Sequence, residues 1–427
     1  MLALLSPEAF GMDALQACTH KVFINRINTI NKMNKHLILC GLAATMFMAS
    51  CSNEGDITAT STTPTDNGEQ IKVTLNQNST ITRASLGNKT DGAYDGTFDT
   101  DQLGIYCLAT GKIYANENIT WKDPNNNPNM LWMQNIRAKA VTTATATSKK
   151  TDLVWYDGTA RYYPMGSQYA YTFYGYYPYT TAVKHVGNKY YVEVNNIGGT
   201  TDVIWGKSEN PANEPHAYSA LYFREKKAQD GAAYNQDNYL PNVKFVHKLM
   251  KFNIILKKGT GSDLDKIGIK KAELLNAATK GTLVIASLDN PAEEGVFTPN
   301  WNTTTTLTLK SETDGPLDDN QFLGANDQIT VGGGFLLPVL PKNGDTYVDN
   351  GYTDGGMQGK GVFRLRVDFH KQGDATIYKA AQYEVVPPAE GWKEGYEYNI
   401  IISVSSPLEI QATTTLVPWT QGDINLQ

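Results

Sequence analysis

Histidine and cysteine side chains often carry metal-binding and nucleophilic chemistry, and this chain has few of them. It contains six histidines and four cysteines in 427 residues. Beyond residue 50 the histidines are His185, His216, His247 and His370. None of them has cysteine or carboxylate neighbours at zinc-site spacing, and no Gly-x-Ser-x-Gly, His-Glu-x-x-His or Walker motif occurs. The sequence therefore predicts no metal, no cofactor and no enzymatic activity.

Cys51 is the cysteine whose surroundings predict a reaction. An apolar run at residues 37–48 follows a basic start, and small residues precede the cysteine. This order is typical of a secretory signal, and the run is too short to span a membrane. The tetrapeptide at 48–51 is similar to a bacterial lipobox, in which the cysteine sulfur is lipidated and the cysteine becomes the new N-terminus. The alternative is a buried helix that ends in an incidental cysteine.

The secretory signal also divides the chain. Such a signal normally begins a protein, so we expect the true start at Met33 and exclude residues 1–50 from the fold. Residues 51–69 are rich in Thr, Asn, Gly and Asp, and cannot bury enough apolar surface to fold, which predicts a flexible tether. Cys107 lies in an apolar run and is predicted to be a buried strand residue.

Length and charge limit the remaining possibilities. Without its first 50 residues the chain keeps 377, more than the roughly 250–300 at which a single core stops growing. We therefore predict two domains, at 70–225 and 240–427, with a polar segment between them. The net charge is −6 and no basic block occurs, which argues against nucleic acid as a partner.

Short segments in both predicted domains alternate apolar and polar residues, with Asn-Gly, Asp-Gly and Gly-Gly turns between them. The first lies at 70–76, where Ile71, Val73 and Leu75 share one face. Other predicted strands lie at 103–108, 190–194, 267–275, 281–288, 305–309, 328–340, 361–369, 382–386, 397–404 and 408–417. Residues 243–256 are one long strand or a strand pair. Strands spaced by roughly ten residues predict an all-β fold of two tandem β-sandwiches.

Two segments have a binding interpretation as well as a structural one. The acidic loop at 91–101 could hold calcium through its carboxylates, but it lacks the spacing of an EF-hand, and a solvated turn is the preferred interpretation. The aromatic run at 155–179 could stack on a sugar. The alternation of Tyr169, Tyr171 and Phe173 instead favours packing in a core. An outer-membrane lipoprotein that binds glycans through exposed aromatic residues is therefore the alternative function.

Nine short motifs, taken in order, resemble the fimbrillin-like pilins of anaerobic Gram-negative bacteria, which build type V pili. They are MASC at 48–51, TRA at 82–84, DQLGIY at 101–106, YYP at 162–164, YTFYGYYP at 171–178, FVHKL at 245–249, LPVLP at 337–341, YEYNI at 396–400 and VPW at 417–419. The resemblance implies two transthyretin-like Greek-key β-sandwich domains and export as a lipoprotein to the outer membrane. It also implies proteolysis after an arginine, and strand exchange between subunits of an adhesive pilus at the cell surface.

On this sequence the resemblance predicts that a trypsin-like protease cuts between Arg83 and Ala84. The cut makes the first strand of its domain, at 70–83, removable. Loss of the strand would open an apolar groove flanked by unpaired backbone groups, which favours pairing with a strand of another pilin subunit. Lipidated Cys51 would hold the precursor on the outer membrane before the cut.

The C-terminal segment is the predicted donor strand. Its face is formed by Ile410, Ala412, Thr414 and Leu416. The last motif is followed closely by few residues, 421–427. This strand could therefore instead belong to the second domain of its own subunit. The chain would then be a tip or accessory subunit that accepts a strand and gives none. A chain that keeps its lipid would be an anchor, and shaft, tip and anchor all remain open.

Overall fold

The computed structural model describes residues 69–75, 102–111, 118–122, 128–144, 149–165, 169–197, 199, 201–260, 264–310, 322–324, 326–340, 342–343, 346–347, 360–373, 379–389, 391–405 and 410–418. Strands dominate these ranges, and the predicted all-β class is confirmed. The described residues fall in one compact unit, Asp66–Gln427. Within this part of the chain, no helix is both long enough and apolar enough to cross a membrane.

The strands in chain order are β1 (Thr74–Leu75), β2 (Leu103–Gly111), β3 (Met133–Ala144), β4 (Lys149–Trp155), β5 (Ala170–Tyr177), β6 (Val183–Val186), β7 (Lys189–Asn195), β8 (Ile204–Ser208), β9 (Asn242–His247), β10 (Leu249–Lys258), β11 (Ile267–Ala278), β12 (Lys280–Ser287), β13 (Phe297–Pro299), β14 (Thr304–Lys310), β15 (Gln328–Pro338), β16 (Lys342–Asn343), β17 (Thr346–Tyr347), β18 (Phe363–Lys371), β19 (Lys379–Val385), β20 (Tyr396–Val404) and β21 (Ile410–Pro418). Short 3-10 turns lie at Pro128–Leu131, Gly231–Ala233, Gln236–Tyr239, Leu264–Lys266 and Pro291–Glu293.

The N-terminal strands form a closed seven-stranded sheet in the order β1, β4, β3, β2, β5, β8, β9. Neighbours in this sheet are antiparallel except β1 and β9, which run parallel. Apolar side chains of these strands form the first core, which includes Ile105, Tyr171, Phe173 and Phe245. The short strand β1 lies between β4 and β9, and its two ladders close the sheet.

The helix α1 (Ala220–Asp230) begins within the first predicted domain, 70–225, and ends in the polar segment that follows it. Its first turn is capped by Ser219, whose hydroxyl accepts the Tyr222 N–H at 3.1 Å. The helix ends at Gly231, whose φ of 54° lies in the left-handed region that favours glycine. Tyr222 and Phe223 pack into the first core. The helix thereby covers part of the closed sheet's interior.

The C-terminal strands form two four-stranded sheets around a second core. One sheet has the order β15, β10, β20, β21 and the other β14, β11, β18, β19. Side chains of both sheets pack together in this core, with the rings of Phe252 in β10 and Phe363 in β18 5.7 Å apart between centroids. The segment at 243–256 is a strand pair, β9 and β10, divided at Lys248.

A further sheet joins strands from both sides of the predicted domain boundary. Its order is β13, β12, β7, β6, with β12 antiparallel to β7. The sheet packs on the outer face of β2 and β5 and forms a third core, which includes Tyr106, Tyr176, Val192 and Leu283. We call it the shared sheet. Because of it, β2 and β5 are buried on both faces, whereas the alternation of Tyr169, Tyr171 and Phe173 alone indicated one buried face.

Candidate functional site

The place of β1 in the closed sheet is the candidate site. Ile71 and Val73 are each 1% exposed and belong to the first core, while Lys72 between them is exposed. The backbone of Leu75 is part of β1, and its side chain lies outside the described part of the chain. The segment is therefore an amphipathic strand with two buried aliphatic anchors.

Backbone hydrogen bonds hold this segment on the β4 side. The N–H of Ile71 donates to the Arg161 carbonyl at 2.7 Å. The N–H groups of Tyr163 and Leu153 donate to the carbonyls of Glu69 and Val73, at 3.0 and 2.9 Å. An antiparallel bridge joins Gln70 to Tyr162. The ladder thus runs from residue 69 to β1 itself.

The β9 side supplies a second set of partners. The N–H of Thr74 donates to the Pro241 carbonyl at 3.0 Å, and Thr74 pairs with Asn242 in the parallel ladder. The Gln236 side-chain amide donates to the Gln70 carbonyl at 3.0 Å. Removing residues 69–75 would therefore leave unpaired groups along both edges and an apolar groove between them. Such a groove suits an extended segment of another chain.

Two aromatic rings lie in the turn region that follows α1, near the start of this segment. Tyr234 stacks on Tyr239 with ring centroids 6.1 Å apart and planes 9° from parallel. Burial raises the pKa of Tyr234 to about 12, and the nearby Glu69 carboxylate adds to the rise. The turn after α1 thus lies near the first residue of the segment.

Tyr163 lies beside β1 with its ring in the first core. It is 2% exposed, and its ring centroid lies 5.2 Å from that of Phe223. Among the described residues its hydroxyl has no hydrogen-bond partner. Burial holds the pKa of this phenol well above its usual value. An unsatisfied buried hydroxyl costs stability.

Tyr163→Phe is therefore expected to raise the free energy of unfolding by about 1 kcal/mol, because it removes that hydroxyl and keeps the ring. The control is Tyr171→Phe, since the Tyr171 hydroxyl donates to the Asn129 carbonyl at 2.7 Å and its loss should lower the same free energy by about 1 kcal/mol. Chemical denaturation measures both. A destabilised Tyr163→Phe would mean that the hydroxyl contributes a bond.

Several predicted sites lie outside the described residues, namely Cys51, the Arg83–Ala84 bond and the acidic loop at 91–101. The predicted donor residues Ile410, Ala412, Thr414 and Leu416 lie in β21, and their side chains are outside the described part. The backbone of β21 pairs antiparallel with β20 of the same chain, from Tyr396↔Pro418 to Val404↔Ile410. In the structure β21 is therefore an edge strand of the sheet β15, β10, β20, β21 of its own chain.

The histidines lie in different elements. His247 is buried at the end of β9, and its Nδ1 lies 2.6 Å from Asp202 Oδ2, so it is a hydrogen-bonded core residue. The His185 ring stacks on Tyr190 in the hairpin of β6 and β7, with centroids 4.2 Å apart. Within the described ranges, no three metal-ligating side chains come together.

Most of the aromatic run at 155–179 and Cys107 lie in the core. Tyr169, Tyr171 and Phe173 are buried in the first core, which confirms the packing interpretation for these three. Tyr156 is 47% exposed, and the Arg137 guanidinium lies 3.6 Å from its ring centroid. Cys107 is fully buried in β2, as predicted, and burial raises its thiol pKa well above the usual value.

Comparison with known proteins identifies the family of this chain. A sequence model described as fimbrillin-like matches residues 58–419. A candidate cell adhesion protein from Bacteroides uniformis has 17% identity and a TM-score of 0.45, over 84% of this chain and 100% of that one. A fimbrial protein from Bacteroides vulgatus has 14% identity and a TM-score of 0.39, over 82% and 99%.

The tip fimbrial protein Mfa3 from Porphyromonas gingivalis, solved with a C-terminal truncation, has 9% identity and a TM-score of 0.34, over 82% of this chain and 100% of that one. A search of curated proteins finds no match. The family assignment therefore rests on the sequence match.

Proposed function

Because this chain belongs to the fimbrillin-like family, we propose that it is a structural subunit of an adhesive surface pilus, assembled by strand exchange at the place of β1. The observation that supports this proposal is the pairing of residues 69–75. The segment closes a sheet, and its two buried anchors are Ile71 and Val73. A segment so placed blocks pairing while it is bound and leaves a groove of defined shape when it departs.

The predicted cut between Arg83 and Ala84 supplies the release step. A trypsin-like protease there would separate the segment at 69–75 from the rest of its sheet. The backbone pairing of residues 69–75 and the two aliphatic anchors would then be replaceable by a strand of equal length from another pilin subunit. Before the cut, the covalent link keeps the native strand at high effective concentration.

The strand given to the next subunit is proposed to be β21. Among the described strands it pairs with β20 alone in its sheet, so its donation would require opening of that ladder. A subunit that keeps β21 in place would accept a strand without giving one, as a tip or accessory subunit does.

Lipidation of Cys51 is proposed as the delivery step. Several acyl chains on one residue, at about 0.8 kcal/mol per buried methylene, would hold the precursor on the outer membrane until the cut. A subunit that is never cut would stay there as an anchor.

The N-terminus of the surface protein tests this scheme. We expect Ala84 as the first residue, in multimers that dissociate on heating. A surface form that always begins at lipidated Cys51, stays monomeric and binds polysaccharide would contradict strand exchange and favour the glycan-binding alternative.

Arg83→Ala tests the cut itself. The variant is expected to fold with an unchanged free energy of unfolding but to form no polymer, because the segment at 69–75 stays attached. Arg224→Ala, at an exposed arginine of α1, is the control and should polymerise normally. Size-exclusion chromatography after protease treatment measures both, and normal polymers from Arg83→Ala would remove Arg83 from the mechanism.

A further inference from the structure

The two edges of β1 receive their hydrogen bonds in different ways. On the β4 side, backbone groups of the neighbouring chain segment form hydrogen bonds with three alternating residues, Glu69, Ile71 and Val73. On the other side, the ladder of β9 begins at Asn242 and pairs with Thr74 and Leu75. Pro241 has no N–H, and Gln236–Tyr239 is a 3-10 turn. Within the described residues, the β9 ladder thus ends before it reaches Gln70.

The side chain of Gln236 takes the place of the missing ladder partner. Its Nε2 lies 3.0 Å from the Gln70 carbonyl oxygen, although the two residues are 166 positions apart. A carbonyl can only accept, so the amide nitrogen must face it. Gln236 is itself half-buried, in the turn that follows Tyr234. The contact therefore satisfies a carbonyl that no strand reaches.

We propose that Gln236 is a positioning residue for whichever strand occupies the place of β1. Its side-chain amide donates to the carbonyl of Gln70, the residue just before the first buried anchor, Ile71. The Pro241 carbonyl accepts from the N–H of Thr74, the residue just after the second anchor, Val73. These two contacts, one donor and one acceptor, lie on the same edge and set where a strand begins and in which direction it runs.

The partner that fits is an extended segment antiparallel to β4 with aliphatic side chains at two alternating positions. A segment running the other way would bring a carbonyl against the Pro241 carbonyl, and two acceptors repel. That the occupant comes from another subunit rests on the proposed function. The contact of Gln236 with Gln70 is independent of the proposed function.

Amide hydrogen exchange on the intact, uncut chain tests the donor role of Gln236. Gln236→Glu keeps the shape of the side chain but replaces the donor with a carboxylate that only accepts. Gln236→Lys changes the shape but keeps a donor. We expect exchange of residues 69–75 to rise about tenfold in Gln236→Glu and to stay within about threefold of the native rate in Gln236→Lys.

The controls separate positioning from packing. Gln229→Glu, at an exposed glutamine of α1, should leave exchange in residues 69–75 unchanged, and β2 is the internal reference. A native rate in Gln236→Glu would overturn the proposal, as would a larger effect of Gln236→Lys, because a packing role favours the isosteric replacement. Equal acceleration of β2 would also overturn it, since a positioning residue acts on β1.

This measurement needs no polymer. If the chain never assembles but Gln236→Glu frees residues 69–75 as expected, strand exchange fails and the role of Gln236 stands. If polymers form while Gln236→Glu leaves exchange unchanged, strand exchange stands and the role of Gln236 fails.

Discussion

Val73→Asp is expected to free residues 69–75 from the uncut chain. Val73 is 1% exposed in the first core, and an unpaired carboxylate there would cost about 3–5 kcal/mol. On the proposed function the segment leaves the sheet, so the carboxylate reaches water when the segment detaches. Exchange of the Ile71 and Thr74 amides, which donate to Arg161 and Pro241, should then rise by at least about a hundredfold.

The same variant is expected to associate without proteolysis. Detachment exposes the groove that the cut would otherwise open, so multimers should appear in the uncut chain on size-exclusion chromatography. Lys72→Asp is the matched control, because Lys72 lies exposed in the same segment and should change stability by less than about 0.5 kcal/mol. Slow exchange in Val73→Asp would show that residues 69–75 are not a separable element. Fast exchange in a strictly monomeric chain would argue against strand exchange.

Val192→Asp is expected to destabilise both halves of the protein together. Val192 is fully buried in β7 and pairs with Leu283 of β12, in the shared sheet. A carboxylate at this position should lower the free energy of unfolding by about 3–5 kcal/mol. Because the third core packs between the shared sheet and β5, amide protection should fall in β5 and β12 alike.

Val186→Asp is the control for this prediction. It makes the same substitution in β6 of the same sheet, at a residue that is 61% exposed, and should cost less than about 0.5 kcal/mol. Chemical denaturation and hydrogen exchange measure both variants. If Val192→Asp lowered protection in β12 but left β5 unchanged, the shared sheet would not couple the two halves.

Many strands could be predicted from the sequence because strand alternation is a local property. The predicted segment 267–275 is β11, observed at Ile267–Ala278, and 397–404 is β20, observed at Tyr396–Val404. The helix α1 was not predicted, although Ser219 and Gly231 flank it as typical capping residues. Its large apolar side chains are consecutive, at 221–223, so no helical period indicated it.

The sequence by itself also determined the family, through motifs that extend over most of the chain. It predicted an apolar face of Ile71, Val73 and Leu75, of which the first two are the buried anchors of the segment at 69–75. The tertiary structure alone decided what surrounds them. Ile71 and Val73 face a core whose edges come from β4 and β9, and Gln236 reaches Gln70 across 166 positions. Hydrogen-bond partners so distant leave no local pattern in the chain, since a backbone carbonyl accepts from any donor that the fold brings near. For the same reason, the local sequence of β5 did not indicate its second buried face, which packs against side chains of the distant strand β12.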